Sequence, residues 1–207
     1  MRFGLKVNDL RLVKGYKLLI SGLNFEIGAG EALSLYGENG VGKTTLLRTL
    51  AGFTIPDGGM ISFTDNHSQI ELEEARVRHI HFLGHHDAFS PARTVVQELA
   101  FQAEYLGGDA SAAIAPLRLK PLMDLETRHL SAGQRRRLSC ARLLMAQRAL
   151  WLLDEPMAPL DAEHRTLLGD LMQAHLADGG MIVAAVHDAL PFETRTLRLE
   201  RPEVRVD

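Results

Sequence analysis

Apolar residues fall at roughly alternate positions in four short runs near the start of the chain, residues 5–7, 10–12, 18–20 and 23–27, separated by Gly15, Gly22 and the pair Gly28 and Gly30. Alternation of this kind turns one strand face to a core and the other to water, which predicts an N-terminal antiparallel β layer. Residues 32–36 are a compact apolar strand that runs into the loop Gly37-Glu38-Asn39-Gly40-Val41-Gly42, after which leucines recur at helical spacing from Lys43 to Gly52. Residues 60–63 and 80–83 are two further strands with a polar insertion between them, and residues 94–106, 110–117 and 134–147 have helical periodicity. The unbroken apolar runs 149–153 and 181–186 suit parallel strands buried on both faces. Between them, Asp161 caps a helix that runs to about Ala177 and stops at Gly179 and Gly180, and residues 197–199 close the sheet edge. The order predicts one α/β domain spanning 1–207, with a helical subdomain inserted at about 86–147 and no internal repeat.

Composition narrows the function classes. The chain has 207 residues, 46% of them apolar and 24% charged, close to the globular average, which excludes a low-complexity or disordered polymer. The longest apolar runs are far shorter than the ~20 residues a bilayer span needs, so no membrane-crossing segment is expected. The first residues lack the apolar stretch of an export signal, which predicts residence in the cytoplasm. Cys140 is the only cysteine and is expected to be buried and inert. A net charge of −3 gives no general attraction for nucleic acid, and Arg135, Arg136 and Arg137 read as a solvated helix face.

The chemistry begins at residues 37–44, which fit G-x-x-x-x-G-K-[ST] between a strand and a helix. Glycines are needed because backbone amides must converge on phosphate oxygens through conformations closed to side chains. Lys43 supplies a movable cation for β and γ phosphates, Thr44 a hydroxyl for Mg²⁺, and Thr45 a donor for the α phosphate. A helix dipole alone contributes about 0.3–1 kcal/mol, too little to hold a triphosphate without the amides, Lys43 and the metal. The apolar run before Asp154 and Glu155 ends where sheet enzymes carry ligand chemistry. Asp154 is placed to hold the magnesium water shell, and Glu155 to orient and deprotonate the attacking water. Ser131 and Gln134 form an S-x-x-Q capping box at a helix start. Gly133 between them lets a backbone amide approach an anion, a second phosphate-binding position.

Leu130-Ser131-Ala132-Gly133-Gln134, standing between the phosphate loop and Asp154-Glu155, resembles the signature sequence of ABC-type ATPases, and the resemblance covers nearly the whole chain. It implies a P-loop fold of ABC type with ATP and Mg²⁺ as ligands, residues 158–161 as the D-loop, and His187 as the switch histidine at the γ phosphate. It further implies a homodimer in which each ATP lies between one copy's phosphate loop and the other copy's Ser131, Gly133 and Gln134. Two positions depart from the family pattern. A histidine, His85, stands where most cassettes have the Q-loop glutamine, and would meet magnesium through a water while bringing a protonation step that glutamine lacks. Tyr16, the nearest candidate for the adenine-stacking aromatic, is about two residues out of register.

Within the family, the small size, the segment Leu83-Gly84-His85, the compact region before Thr94 and the short stretch after His187 resemble the ATP-binding subunit of the haem exporter of bacterial cytochrome c biogenesis. That resemblance implies peripheral attachment to integral membrane permease subunits on the cytoplasmic face of the inner membrane, with hydrolysis driving haem export or release of a haem-loaded chaperone. No direct contact with nucleic acid is implied. Phe89, Phe101 and Tyr105 are candidate partner contacts, with at least two of them expected in the core. The alternatives are the ATPase of another small-molecule transporter and a soluble nucleotide-dependent regulator. His79, His81, His85 and His86 form a histidine-rich stretch in which His79 and His81 would share a strand face, but no ligand spacing recommends a metal site.

Overall fold

The computed structural model describes residues 3–202. Elements run β1 (Phe3–Lys14), β2 (Lys17–Ile27), β3 (Ala32–Tyr36), α1 (Lys43–Leu50), β4 (Gly58–Asp65), β5 (Ser68–Ile70), α2 (Leu72–Arg78) and β6 (Ile80–Leu83). They continue with α3 (Val95–Leu106), α4 (Ser111–Ile114), α5 (Ala132–Met145), β7 (Leu150–Asp154), α6 (Ala162–Ala177), β8 (Met181–Ala185) and β9 (Arg195–Arg198).

The N-terminal layer is antiparallel, in the order β2-β1-β4-β5. The four short runs expected at its start are two long strands. Asp9, in a left-handed conformation at φ 48°, and Gly22, at φ 69°, lie where the β1–β2 register shifts, and the Asp9 N–H donates to Asn24 Oδ1 at 2.8 Å. The break in alternation is therefore a bulge inside a continuing ladder, not a chain reversal. The polar insertion is also ordered: β5 pairs with β4, and α2 buries only Ala75 fully, too few apolar positions to show as a period.

The second sheet is parallel throughout, in the order β6-β7-β8-β3-β9. All residues of β7 and β8 are buried, and they alternate between two cores. Leu150, Leu152, Met181 and Val183 face the antiparallel layer and α1, while Trp151, Leu153, Ile182 and Ala184 face the helices. Each such leucine, fully buried, contributes roughly 1.5–3 kcal/mol. The helices between β6 and β7 start and stop on local signals. Thr94 forms a capping box with Gln97 and Gly107 ends α3 at φ 67°, while Ser131 forms the box with Gln134 that opens α5. The second helix is shorter than its periodicity suggested, because Pro116 follows closely and Arg118 turns to φ 51°.

The histidines scatter. His79 caps α2 with ψ −12°, which breaks the two-residue alternation of a strand, and its ring stacks on Phe3. His81 turns the other way and donates from Nε2 to the Ala146 carbonyl at 2.7 Å. The two do not share a face, and among the described residues no group of three or more possible ligands could hold a metal.

Burial lowers the pKa of His81 from 6.5 to about 3 and that of His175, stacked on Trp151 at 3.8 Å, from 6.5 to about 4. Below pH 6.5 the unfolded chain takes up protons at both positions that the folded chain refuses, so stability falls with falling pH until about pH 4 for His175 and about pH 3 for His81. The expected loss is about 1.4 kcal/mol per pH unit for each histidine. Urea unfolding at pH 7.5 and pH 5 checks this, and His81→Gln, which keeps a donor for Ala146, is expected to remove about half of the slope.

Candidate nucleotide site

The phosphate loop joins β3 to α1 through Gly37, Gly40 and Gly42, at φ 149°, 75° and 123°. A Cβ on Gly37 would lie 2.6 Å from the Leu199 carbonyl oxygen and 2.9 Å from Val41, so no other residue fits without moving the sheet edge. Gly42 caps α1 without a side-chain hydrogen bond, which leaves the first-turn N–H groups available to an anion. Lys43, buried at the base of the loop, donates from Nζ to the Gly37 carbonyl at 2.5 Å and faces the Glu38 carbonyl at 3.4 Å. Asn39 and Gly40 are exposed, as is Thr44, while Thr45 is half-buried. Gly42 packs against Leu19 and Ile20 of β2, and the fully exposed Tyr16, in the hairpin turn immediately before that strand, stands three residues ahead of Leu19.

α1 packs over β7 and β8, which brings Thr44 to the end of β7. Its Oγ1 donates to Asp154 Oδ2 at 2.8 Å, and Asp154 is only 2% exposed. A buried carboxylate held by a hydroxyl, with no ion pair to it among the described residues, is a donor set that suits a hard divalent ion that keeps most of its waters.

Glu155 follows in a left-handed conformation, φ 49°, its N–H bonded to the Ala185 carbonyl at 3.0 Å. Its carboxylate stands between two imidazoles, with Oε1 2.8 Å from His187 Nε2 and Oε2 3.8 Å from His85 Nδ1. These residues follow the C-terminal ends of β6, β7 and β8, which are neighbours in the sheet, so strand order assembles the trio. His85 meets Glu155 and not the Thr44–Asp154 pair.

At α5, Ser131 Oγ accepts from the Gln134 N–H at 3.2 Å, and Gln134 Oε1 accepts from the Ser131 N–H at 2.8 Å. The two side chains are thus engaged in the cap. A Cβ on Gly133 would come within 3.0 Å of the Pro159 carbonyl, so this helix start lies against the residues that follow Glu155. Among the described residues, no hydrogen bond or ion pair joins Ser131, Gly133 or Gln134 to loop 37–42.

Two sequence readings are corrected here. The arginine triplet is not a solvated face: Arg136 is 3% exposed, and Arg137 donates to the carbonyls of Leu117 and Arg118. Fully polar side chains on a short stretch hid this, since a guanidinium can be buried when carbonyls satisfy it. Of the three aromatics expected mostly in the core, Phe101 and Tyr105 are 47% and 83% exposed, and only Phe89 packs inward. The polar residues Glu98 and Gln102 are buried instead, joined at 2.9 Å, and Arg93 pairs with Glu98 at 3.3 Å. Cys140 is buried as expected, and burial pushes its thiol up to about 11, which keeps it protonated and unreactive.

A phosphate loop, a strand-end acid pair and a capped signature helix on this two-sheet fold define an ATP-binding cassette. The chain belongs to the ABC transporter family, whose sequence profile matches residues 20–158. It is 46% identical to "Cytochrome c biogenesis ATP-binding export protein CcmA" of Rhodopseudomonas palustris (strain HaA2) over 193 residues, covering 92% of this chain and 94% of that protein. The protein of the same name from Bradyrhizobium diazoefficiens is 46% identical over 190 residues, covering 90% and 93%. Two solved structures share the fold at 21% identity and a TM-score of 0.79. They are the ATP-binding cassette MJ0796 in a dimeric post-hydrolysis state bound to ADP and Pi, covering 95% and 94%, and a putative ABC transporter ATP-binding protein from Pyrococcus furiosus, covering 95% and 97%.

Proposed function

We propose that this chain is the ATP-hydrolysing subunit of a membrane exporter for cytochrome c biogenesis. It acts as one nucleotide-binding domain over residues 1–207, with a helical subdomain at about 86–147, and pairs head to tail with a second copy. The observation that carries the reading is the contiguous set Thr44–Asp154 and Glu155–His187, both at 2.8 Å, beside a glycine loop holding Lys43. The names of the relatives support the export role.

In this reading Lys43 exchanges the carbonyls of Gly37 and Glu38 for phosphate oxygens, and the amides of residues 38–42 with the start of α1 complete the cradle. Thr44 and Asp154 hold Mg²⁺, which neutralises phosphate charge when bound. Glu155 accepts the proton of the attacking water. His187 holds the carboxylate from one side and reaches the γ phosphate, and His85 stands on the other side in place of the usual glutamine. Tyr16 stacks on the adenine. The second copy's Ser131, Gly133 and Gln134 close over the nucleotide through the Gly133 amide.

No described helix is long and apolar enough to cross a membrane, so attachment to the cytoplasmic face of the inner membrane rests on integral permease subunits. The exposed face of α3, with Phe101 under the Arg93 guanidinium at 4.0 Å and Tyr105 beside it, is the proposed contact. The cargo is haem, or a haem-loaded chaperone released on the far side. Affinity purification of the tagged chain from solubilised membranes tests the assignment: haem-carrying integral subunits are expected, and recovery of a haem-free permease would assign the chain to a different small-molecule transporter. Absence of steady-state ATPase activity would favour a regulator.

A further inference from the structure

Arg136 is buried on α5, and among the described residues its guanidinium donates only to main-chain carbonyl oxygens. Nε donates to Pro156 at 3.0 Å, Nη1 to Gly84 at 2.8 Å, and Nη2 to Asp154 at 2.6 Å and Glu155 at 2.9 Å. Three consecutive carbonyls, those of Asp154, Glu155 and Pro156, converge on one guanidinium around Glu155 in its left-handed conformation, which a residue other than glycine adopts only at a cost in strain. Removing Arg136 would leave those oxygens facing each other in a buried pocket, and the turn would relax toward ordinary backbone. Both carboxylates escape the arginine, so their charge stays available for chemistry.

The residue also bridges elements that serve different nucleotides. Gly84, Asp154 and Glu155 belong to the ATP site of their own chain, whereas α5 begins with Ser131, Gly133 and Gln134, which face the nucleotide of the other copy in the proposed dimer. We infer that Arg136 is a positioning residue for hydrolysis: it holds the Glu155 turn in place and ties it to the signature helix, so that closure of that helix on the neighbouring nucleotide sets the acid of its own site. The inference rests on the role proposed for Glu155. A lysine replaces it only in part, since one ammonium offers three donors from a single point where a planar fork reaches four carbonyls.

The test measures ATP hydrolysis by the full chain with Arg136→Gln, Arg136→Lys, Glu155→Gln and the double variant Arg136→Gln/Glu155→Gln, with thermal unfolding on the same samples. Arg136→Gln is expected to lower kcat by about 10- to 100-fold with the KM for ATP changed by less than about threefold, because the phosphate loop is untouched. Arg136→Lys recovers only part of the loss. The double variant hydrolyses no more slowly than Glu155→Gln alone, since the arginine acts through that acid. A wild-type kcat in Arg136→Gln, or losses that multiply in the double variant, would overturn the inference. Should Arg136→Gln fail to fold, Arg136→Lys decides: a reduced kcat at unchanged KM supports the role, and a wild-type kcat refutes it. Undiminished turnover in Glu155→Gln, by contrast, would remove the assignment of the base itself.

Discussion

Replacing Glu155 by glutamine is expected to slow ATP hydrolysis by about a hundred- to ten-thousand-fold, the range spanned by loss of a general base. The amide has the size of the carboxylate and can still accept a hydrogen bond from His187, which lies 2.8 Å from Oε1. It cannot accept a proton from water. The bond from the Glu155 N–H to the Ala185 carbonyl and the bond its carbonyl accepts from the Arg136 guanidinium use only the main chain of Glu155, so the left-handed turn survives the substitution. Nucleotide binding rests on the loop, Lys43 and Thr44 and is expected to persist. With hydrolysis blocked, ATP should hold two copies together, and the variant is expected to elute as a dimer in ATP and Mg²⁺ but as a monomer without nucleotide. Single-turnover hydrolysis with size-exclusion chromatography reads both effects, and wild-type turnover would eliminate Glu155 as the base.

Lys43→Ala is expected to weaken ATP binding by about a hundredfold or more. Hydrogen bonds to a charged group contribute about 1.5–3 kcal/mol each, and the ammonium stands at the base of the loop where it can serve two phosphate oxygens. In the structure it satisfies the Gly37 carbonyl at 2.5 Å, so the cation is already in place and binding needs only an exchange of acceptors. Arginine is not expected to rescue, because its wide planar fork does not fit a buried position shaped for one ammonium. Equilibrium binding of a fluorescent ATP analogue measures the loss. Thermal unfolding should change little, since the loop glycines and not Lys43 determine the backbone path; affinity within threefold of wild type would place the triphosphate elsewhere.

The parts of the site that are local in sequence were legible before any fold was known. Residues 37–44 carry their own geometry, because the glycines permit the turn and the helix that follows presents its amides whatever surrounds it. The Ser131–Gln134 capping box is likewise a relation between residues three apart, and it forms as written. Asp154 and Glu155 were marked by the apolar run before them. His187 and His85 were assigned only by resemblance to a family, since nothing local distinguishes them from solvated histidines.

Arg136 was misread for a physical reason. Burial of a guanidinium requires acceptors, and its acceptors are the carbonyls of Gly84 just after β6, of Asp154 at the end of β7 and of Glu155 and Pro156 in the turn that follows, residues far away in the chain. No periodicity reports a carbonyl. The same holds for Glu98, whose buried carboxylate accepts from Gln102 on its own helix and from Arg93 before it. The exposed faces of Phe101 and Tyr105 show the converse, apolar residues left outside a core already filled by Val95, Leu99 and Ala103 on the same helix.

Composition and short-range pattern were enough to establish a nucleotide-binding α/β chain, its phosphate loop and its paired acids, because these depend on residues close in sequence whose conformational preferences act alone. Strand order was beyond their reach. Only the assembled sheet brings the ends of β6, β7 and β8 side by side, and so only it places His85 and His187 on either side of Glu155 and gives Arg136 its four carbonyls. Those contacts join segments tens of residues apart, and the free energy that selects among such pairings comes from burying two shared cores, a property of the whole chain.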